Sequence, residues 1–162
     1  MRPSSIFFLA WFHLLLLVFS VAEPGHSYAQ AKKGPPVYVG SDVCQKCHEK
    51  EYDSFMKYAK KSKSYNSIDR VKKGLTEEEI RGCYACHTTG YGKPGGFVSV
   101  EKTPHLKNAG CEVCHGPGEL HVKTRSPQYI KRRLSIADCE VCHTEERVKA
   151  FRYKPLIHGG AH

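Results

Sequence analysis

All eight cysteines of the chain belong to one pattern, Cys-x-x-Cys-His, which occurs four times. Two thiols three residues apart lie on one face of a helical turn, and this spacing lets them add to the two vinyl groups of one haem. The histidine that follows directs its imidazole at the haem iron as the proximal ligand. The pattern therefore predicts four covalently attached c-type haems. The predicted attachment residues are Cys44, Cys47, Cys83, Cys86, Cys111, Cys114, Cys139 and Cys142, and the predicted proximal ligands are His48, His87, His115 and His143.

Two other uses of eight cysteines compete with this interpretation. In an oxidising compartment they would form four disulfides, and in a zinc protein they would form two all-cysteine sites. Neither use requires a histidine after each pair. With 10 histidines among 162 residues, four such placements by chance have a probability on the order of one in 10⁵, so the motif favours haem attachment.

The remaining histidines match the number of haems. His13 and His26 fall in the apparent export signal, and four others are left: His105, His121, His158 and His162. We predict that they supply second axial ligands, because bis-histidine coordination saturates the iron and favours low-spin centres with fast electron transfer. The alternative for a lone histidine is a surface or capping role. For the tail pair, His158 and His162, ligation of a neighbouring molecule is a further alternative, since chain termini fray unless something holds them.

The first 31 residues differ in composition from the rest. Ile6 to Ala22 is an apolar run without charge, and Ala29-Gln30-Ala31 is the small-x-small pattern that signal peptidase cuts after. We predict a signal peptide at 1–31 and a tetrahaem domain at 32–162, with an uncleaved membrane anchor as the alternative. We expect the mature protein to be soluble and periplasmic. Membrane association, and a location at the cell surface or outside the cell, are the alternatives.

Composition indicates that the haems form the core. Residues 32–162 leave only about 33 residues per haem, and long apolar periodic segments are missing. The formal net charge is +9, and part of this excess neutralises haem propionates. Nucleic acid is not expected as a partner of an exported chain.

Local patterns predict a few short elements. Tyr52, Phe55, Met56 and Ala59 recur with helical spacing. We also predict a capping box at Thr76 and Glu79 and a short strand at Phe97 to Val100. A helix is expected to start at Thr103 and Pro104 and to carry His105 towards Cys111. The helix of the fourth motif is expected to continue through Thr144 to Val148.

Three stretches resemble a known family, the tetrahaem cytochromes of the cytochrome c-554 type. They are Tyr38 to Cys44, Gly82 to Gly90, and Gly110 to Gly118 followed by His121. The Cys-His-Gly-Pro-Gly segment followed by histidine is the most discriminating part. The resemblance implies a mainly α fold with little regular secondary structure, haems in stacked and angled pairs, and His121 as axial ligand to a haem other than its neighbour.

The chain departs from the family at one place. Members often carry a histidine some fifteen residues after the first motif, whereas Phe55 to Ser64 offers only lysines, including Lys63. The first haem must therefore take a ligand from elsewhere, accept Lys63, or remain five-coordinate.

Three functions are compatible with these features. The favoured one is an electron carrier between a redox protein or membrane quinol-linked donor and a terminal acceptor. The second is a haem enzyme that reduces a small nitrogen compound at one open iron, although no set of acid, base and substrate-binding residues stands out around any motif. The third is a homo-oligomer or haem filament, in which a tail histidine ligates a neighbour's iron.

Overall fold

A computed structural model of the chain describes residues 34–144. All of them belong to one compact unit. The predicted signal peptide at 1–31, the tail histidines His158 and His162, and the predicted helical stretch from 145 to Val148 lie outside the described residues.

The described chain consists of short helices joined by loops. Its α-helices are α1 (Ser41–Gln45), α2 (Glu49–Tyr58), α3 (Tyr65–Val71), α4 (Glu77–His87), α5 (Cys111–His115), α6 (Glu119–Thr124) and α7 (Ile136–Glu140). Single 3₁₀ turns lie at Lys60–Lys63, Lys72–Gly74, Pro104–Leu106 and Pro127–Tyr129. No strand occurs between residues 34 and 144. This confirms the predicted fold class, mainly α with little regular secondary structure. Within the same residues, no helix has the length and apolar character that crossing a bilayer requires.

Helices α2 and α4 form where their sequence patterns predict. Phe55 on α2 is buried, and the helix ends at Tyr58, where Ala59 turns the backbone to an extended conformation. Helix α4 begins with the predicted capping box: the backbone N–H of Glu79 donates to the Thr76 hydroxyl at 3.3 Å, and the Thr76 N–H donates to the Glu79 carboxylate at 2.8 Å. The box satisfies two N–H groups that a helix start leaves without partners. It fixes the start of the helix whose last turn holds the second motif.

The predicted strand at Phe97 to Val100 is wrong. Phe97 does pair with the loop before it, since its N–H donates to the Thr89 carbonyl at 2.9 Å. The backbone N–H of the next residue, Val98, is not available for pairing with another strand, because it donates to the Thr103 hydroxyl at 2.9 Å. Local side-chain acceptors of this kind compete with ladder formation.

The helix predicted from Thr103 onwards is only a single 3₁₀ turn, Pro104–Leu106. The backbone beyond it bonds to other segments instead of to itself. The Leu106 carbonyl accepts from the Thr89 N–H at 3.0 Å, and the Asn108 carbonyl accepts from the Thr89 hydroxyl at 2.6 Å. Tertiary hydrogen bonds therefore replace the helical ones, and the third motif has a separate helix, α5.

The fourth motif's helix is also shorter than predicted. Helix α7 ends at Glu140, and a turn at residues 141–142 follows, so His143 lies beyond the helix. The start of α7 agrees with its sequence, because the backbone N–H and hydroxyl of Ser135 both donate to the Asp138 carboxylate, at 2.8 and 3.0 Å. The helix stops there because the Cys142 N–H bonds to the Cys139 carbonyl, at 3.1 Å, which tightens the last turn.

The buried hydrophobic cluster is small. Tyr65 and Ile68 of α3 pack with Phe97 and Leu106, and the ring of Tyr84 lies beside Tyr65 and edge-on to Phe97. These contacts join α3, α4 and the loop between the second and third motifs. The cluster therefore holds the second motif against the segment that leads to the third.

We expect Gly96→Ala to be strongly destabilising. A Cβ at this position would lie 1.7 Å from the Gly90 carbonyl oxygen, so the loop that starts at Gly90, with φ +71°, would have to open. The free energy of unfolding should fall by about 3 kcal/mol, measured by chemical denaturation of the oxidised holoprotein. Gly74→Ala is the matched control, because a Cβ there meets nothing within 4 Å. Equal unfolding midpoints for the two variants would contradict this prediction.

Candidate haem-binding sites

Each Cys-x-x-Cys-His motif forms one helical turn. The second motif ends α4, and the third occupies the whole of α5. The first and fourth motifs begin in α1 and α7 and close with the same bond: the N–H of His48 donates to the Cys44 carbonyl, and that of His143 to the Cys139 carbonyl, both at 2.9 Å. This turn brings the two thiols and the histidine of each motif onto one side of the chain, as attachment to one haem requires.

All eight cysteines are free thiols. Within residues 34–144, no group of three or more cysteine, histidine or acidic side chains is arranged to share a metal ion.

Three histidine rings are held by the backbone in the same way. In each, Nδ1 lies within hydrogen-bond distance of a carbonyl oxygen. The acceptors are Ser64 for His87 at 2.9 Å, Lys131 for His115 at 2.7 Å and Ser126 for His121 at 3.0 Å. Because a carbonyl can only accept, we assign the proton of each ring to Nδ1, which leaves a lone pair on Nε2. This is the tautomer that ligates a metal through Nε2, with the carbonyl fixing the ring orientation.

The structure brings His121 of α6 next to His48 of the first motif. Their ring centres are 6.2 Å apart, and the ring planes differ by 25°. Metal–imidazole bonds are about 2.0 Å long and the ring centre lies about 1.1 Å behind the bonding nitrogen, so two imidazoles that bind one metal have centres at most about 6.2 Å apart. The observed separation fits a bis-histidine iron.

The other candidate ligands have different surroundings. His105 is exposed and packs on the segment that enters the first motif, since a Cβ at Gly40 would lie 3.2 Å from its Cδ2 atom. Lys63, the alternative ligand for the first haem, is exposed at the end of a 3₁₀ turn. Of the spare histidines in the described chain, the structure thus brings His121, rather than His105, to a proximal histidine at ligating separation.

Thiols of different motifs lie close enough to shift each other's pKa. A hydrogen bond from Cys44 lowers the pKa of the Cys111 thiol to about 6 and raises the pKa of Cys44. Burial, followed by a hydrogen bond with Cys86, raises the pKa of Cys142 to about 11. The charge of Cys114 also contributes to the raised pKa of Cys139, after the larger effect of burial. The first motif therefore adjoins the third, the third adjoins the fourth, and the fourth adjoins the second.

A largely apolar pocket lies beside the third proximal histidine. Its volume is about 410 Å³, and its wall includes His115, Pro117, Leu120, Tyr129 and Ile130. An apolar wall next to a motif histidine suits the flat hydrophobic face of a porphyrin. Together with the motif turns and the fixed tautomers, the pocket shows that the residues present fit covalently held haem.

One buried charged residue was missed by the sequence analysis. Glu112 lies inside the third motif, is only 3% exposed, and accepts hydrogen bonds from the backbone N–H groups of Val39, Gly40 and Gly118. Its counterpart in the fourth motif, Glu140, is exposed. Because Cys-Glu-Val-Cys-His occurs in both motifs, the motif alone does not distinguish the two glutamates.

Comparison with known proteins finds similarity to one family. The profile of the family described as "Cytochrome c554 and c-prime" matches residues 43–116, which contain the first three motifs. Cytochrome c-554 of Nitrosomonas europaea is 29% identical over 91 residues, which cover 50% of this chain and 39% of the relative. This chain thus spans about two fifths of the relative's length. No solved structure matches the chain. The matched residues and their haem-attachment motifs support a relationship to the cytochrome c554 family of c-type cytochromes.

Proposed function

We propose that this protein is an exported tetrahaem electron carrier, in which closely packed and mostly bis-histidine haems pass electrons from a respiratory donor to a terminal acceptor. The observation that carries the proposal is the common anchoring of His87, His115 and His121, whose Nδ1 atoms bond to backbone carbonyls. Rings held in this tautomer serve as axial ligands without reorienting.

In this proposal the four motifs would hold one haem each, and His48 and His121 would both ligate the first iron. His105 and the tail histidines His158 and His162 remain the candidate second ligands of the other three. An iron with two imidazole ligands is low-spin and exchanges electrons without changing its coordination. The protein contributes fixed ring orientations and, beside His115, a largely apolar wall for the haem face.

The contacts between motifs support an order for the haems. The interactions of Cys44 with Cys111, of Cys86 with Cys142 and of Cys114 with Cys139 support the order first, third, fourth, second. Haems attached to neighbouring thiols would themselves be neighbours. We therefore propose that electrons enter and leave through the first and second haems, at the two ends of this order.

The proposed partners follow from this role. A redox protein or a membrane quinol-linked donor supplies the electrons, and a terminal acceptor takes them up in the periplasm. The formal net charge of the polypeptide is +9. The part of this positive charge that the haem propionates do not neutralise supports contact with acidic partners.

The test is a count of haems and of their spin states. We expect the mass of the mature protein to exceed that of the bare polypeptide by four haems. Low-temperature magnetic resonance of the oxidised protein should give low-spin signals from all four irons, and the reduced protein should not bind carbon monoxide. A high-spin iron that binds carbon monoxide after reduction would favour the enzyme alternative. A mass equal to the bare polypeptide would contradict haem attachment altogether.

A further inference from the structure

The Glu112 carboxylate joins three separate parts of the chain. Its two oxygens accept from the backbone N–H of Val39 at 3.0 and 3.1 Å, of Gly40 at 2.8 Å and of Gly118 at 2.6 Å. Gly40 immediately precedes α1, which holds the first thiol of the first motif, and Gly118 immediately precedes α6, which holds His121. Glu112 itself belongs to α5 of the third motif. One side chain thus links the two segments that carry His48 and His121.

The chemistry of this contact requires a carboxylate. All three partners are donors, so the side chain between them must accept at both oxygens. Hydrogen bonds from N–H groups to an ionised carboxylate are also shorter and stronger than those between neutral groups. A glutamine would fit the space, but its NH₂ group would face a backbone N–H, so at least one buried donor would lose its partner.

Glycine on both sides allows the close approach. Gly40 has φ +84°, in the region that favours glycine, and a Cβ there would lie 3.0 Å from the His105 carbonyl oxygen. At Gly118, a Cβ would lie 3.1 Å from the Glu112 Oε1 atom. A side chain at Gly118 would therefore crowd the carboxylate itself, and one at Gly40 would crowd His105 and strain a backbone that glycine favours.

We propose that Glu112 is a positioning residue for the first haem: it holds α6 against the segment that enters the first motif, so that the His121 imidazole reaches the iron ligated by His48. The inference rests on the proposed His48–His121 ligation. Glu112 acts through His121, because its own hydrogen bonds all go to the backbone segments that carry the ligands. Its loss should therefore change the coordination of one iron and leave the others as they are.

The chain supplies its own control. Glu140 occupies the same place in an identical Cys-Glu-Val-Cys-His motif, but its side chain is exposed. Glu112→Gln and Glu140→Gln make the same chemical change next to the same haem-attachment residues. Any difference between the two variants comes from the buried contacts of Glu112.

The experiment compares Glu112→Gln, Glu112→Asp and Glu140→Gln as oxidised and reduced holoproteins. We expect all three to keep four haems by mass. Glu112→Gln should have about one low-spin iron fewer than the wild type, and should bind carbon monoxide at about one additional haem after reduction. Glu112→Asp keeps the charge on a shorter side chain and should give an intermediate result. Glu140→Gln should match the wild type in both measurements.

An unchanged spin count and unchanged carbon monoxide binding in Glu112→Gln would overturn the inference, even if its thermal stability fell. If Glu112→Gln yields no holoprotein, Glu112→Asp decides by the same two measurements, and a wild-type spectrum overturns the inference. Changing His121 to alanine separates this inference from the proposed ligation. If that variant loses a low-spin iron while Glu112→Gln does not, only the role of Glu112 is wrong. If it keeps all of them, the ligation itself is wrong.

Discussion

A variant with all eight motif cysteines replaced by serine is expected to be unfolded in solution, with the far-ultraviolet circular dichroism of a disordered chain. Among residues 34–144, the buried hydrophobic side chains are Phe55, Ala59, Tyr65, Ile68, Phe97, Leu106 and Ala109. Two of these are alanines, which contribute little apolar area. Ordering the backbone costs about 1 to 2 kcal/mol per residue, and so small a core does not offset this cost.

The control for this variant is the wild-type chain expressed with and without the haem-attachment machinery. The wild type without attached haem should resemble the eight-serine variant, because both lack the thioether bonds that fix the chain to its cofactors. The wild-type holoprotein should be helical and should unfold cooperatively. A cooperative thermal transition in the eight-serine variant would show that the polypeptide folds on its own core.

Changing His121 to alanine is expected to convert about one of the four irons from low-spin to high-spin. The same variant should gain carbon monoxide binding at that haem after reduction. The reason is geometric, because the His121 ring centre lies 6.2 Å from that of His48 and its Nδ1 is fixed by the Ser126 carbonyl. Added imidazole should restore the low-spin signal, since the small molecule can occupy the position that the side chain has left.

Lys123→Ala is the matched control for this prediction. Lys123 lies on the same helix, two residues beyond His121, and its ammonium group pairs with Glu119 at the surface. Exposed pairs of this kind contribute at most about 1 kcal/mol. The control should therefore keep the wild-type spin count. A His121→Ala protein with the wild-type count would mean that another residue ligates the first haem.

The sequence was informative where chemistry depends on local spacing. The four motifs and the capping box at Thr76 and Glu79 are short patterns whose function needs only neighbouring residues, and the structure forms each of them as a turn or a helix start. The strand expected at Phe97 to Val100 is absent because Thr103 takes one of its donors, and a weak alternation of residues cannot reveal that competition.

The parts that sequence could not reveal depend on contacts between distant residues. Glu112 is 73 residues from Val39, and in the identical five-residue motif of the fourth site Glu140 is exposed. Sequence spacing likewise does not predict that His121 lies beside His48, because the position of α6 depends on the preceding turn at Gly116-Pro117-Gly118. The resemblance to a family implied that His121 serves a haem other than its neighbour, but only the fold brings it to the first motif.

The hydrogen bonds that fix His115 and His121 end on the carbonyl oxygens of Lys131 and Ser126. Every amino acid, proline included, has a carbonyl oxygen, so these two positions are free to diverge in evolution while the imidazoles keep their protonation. Distant homologues can therefore share the same iron environment without any identity at positions 126 and 131. Searches that score residue similarity will undervalue such positions, whereas comparison of main-chain shape will not.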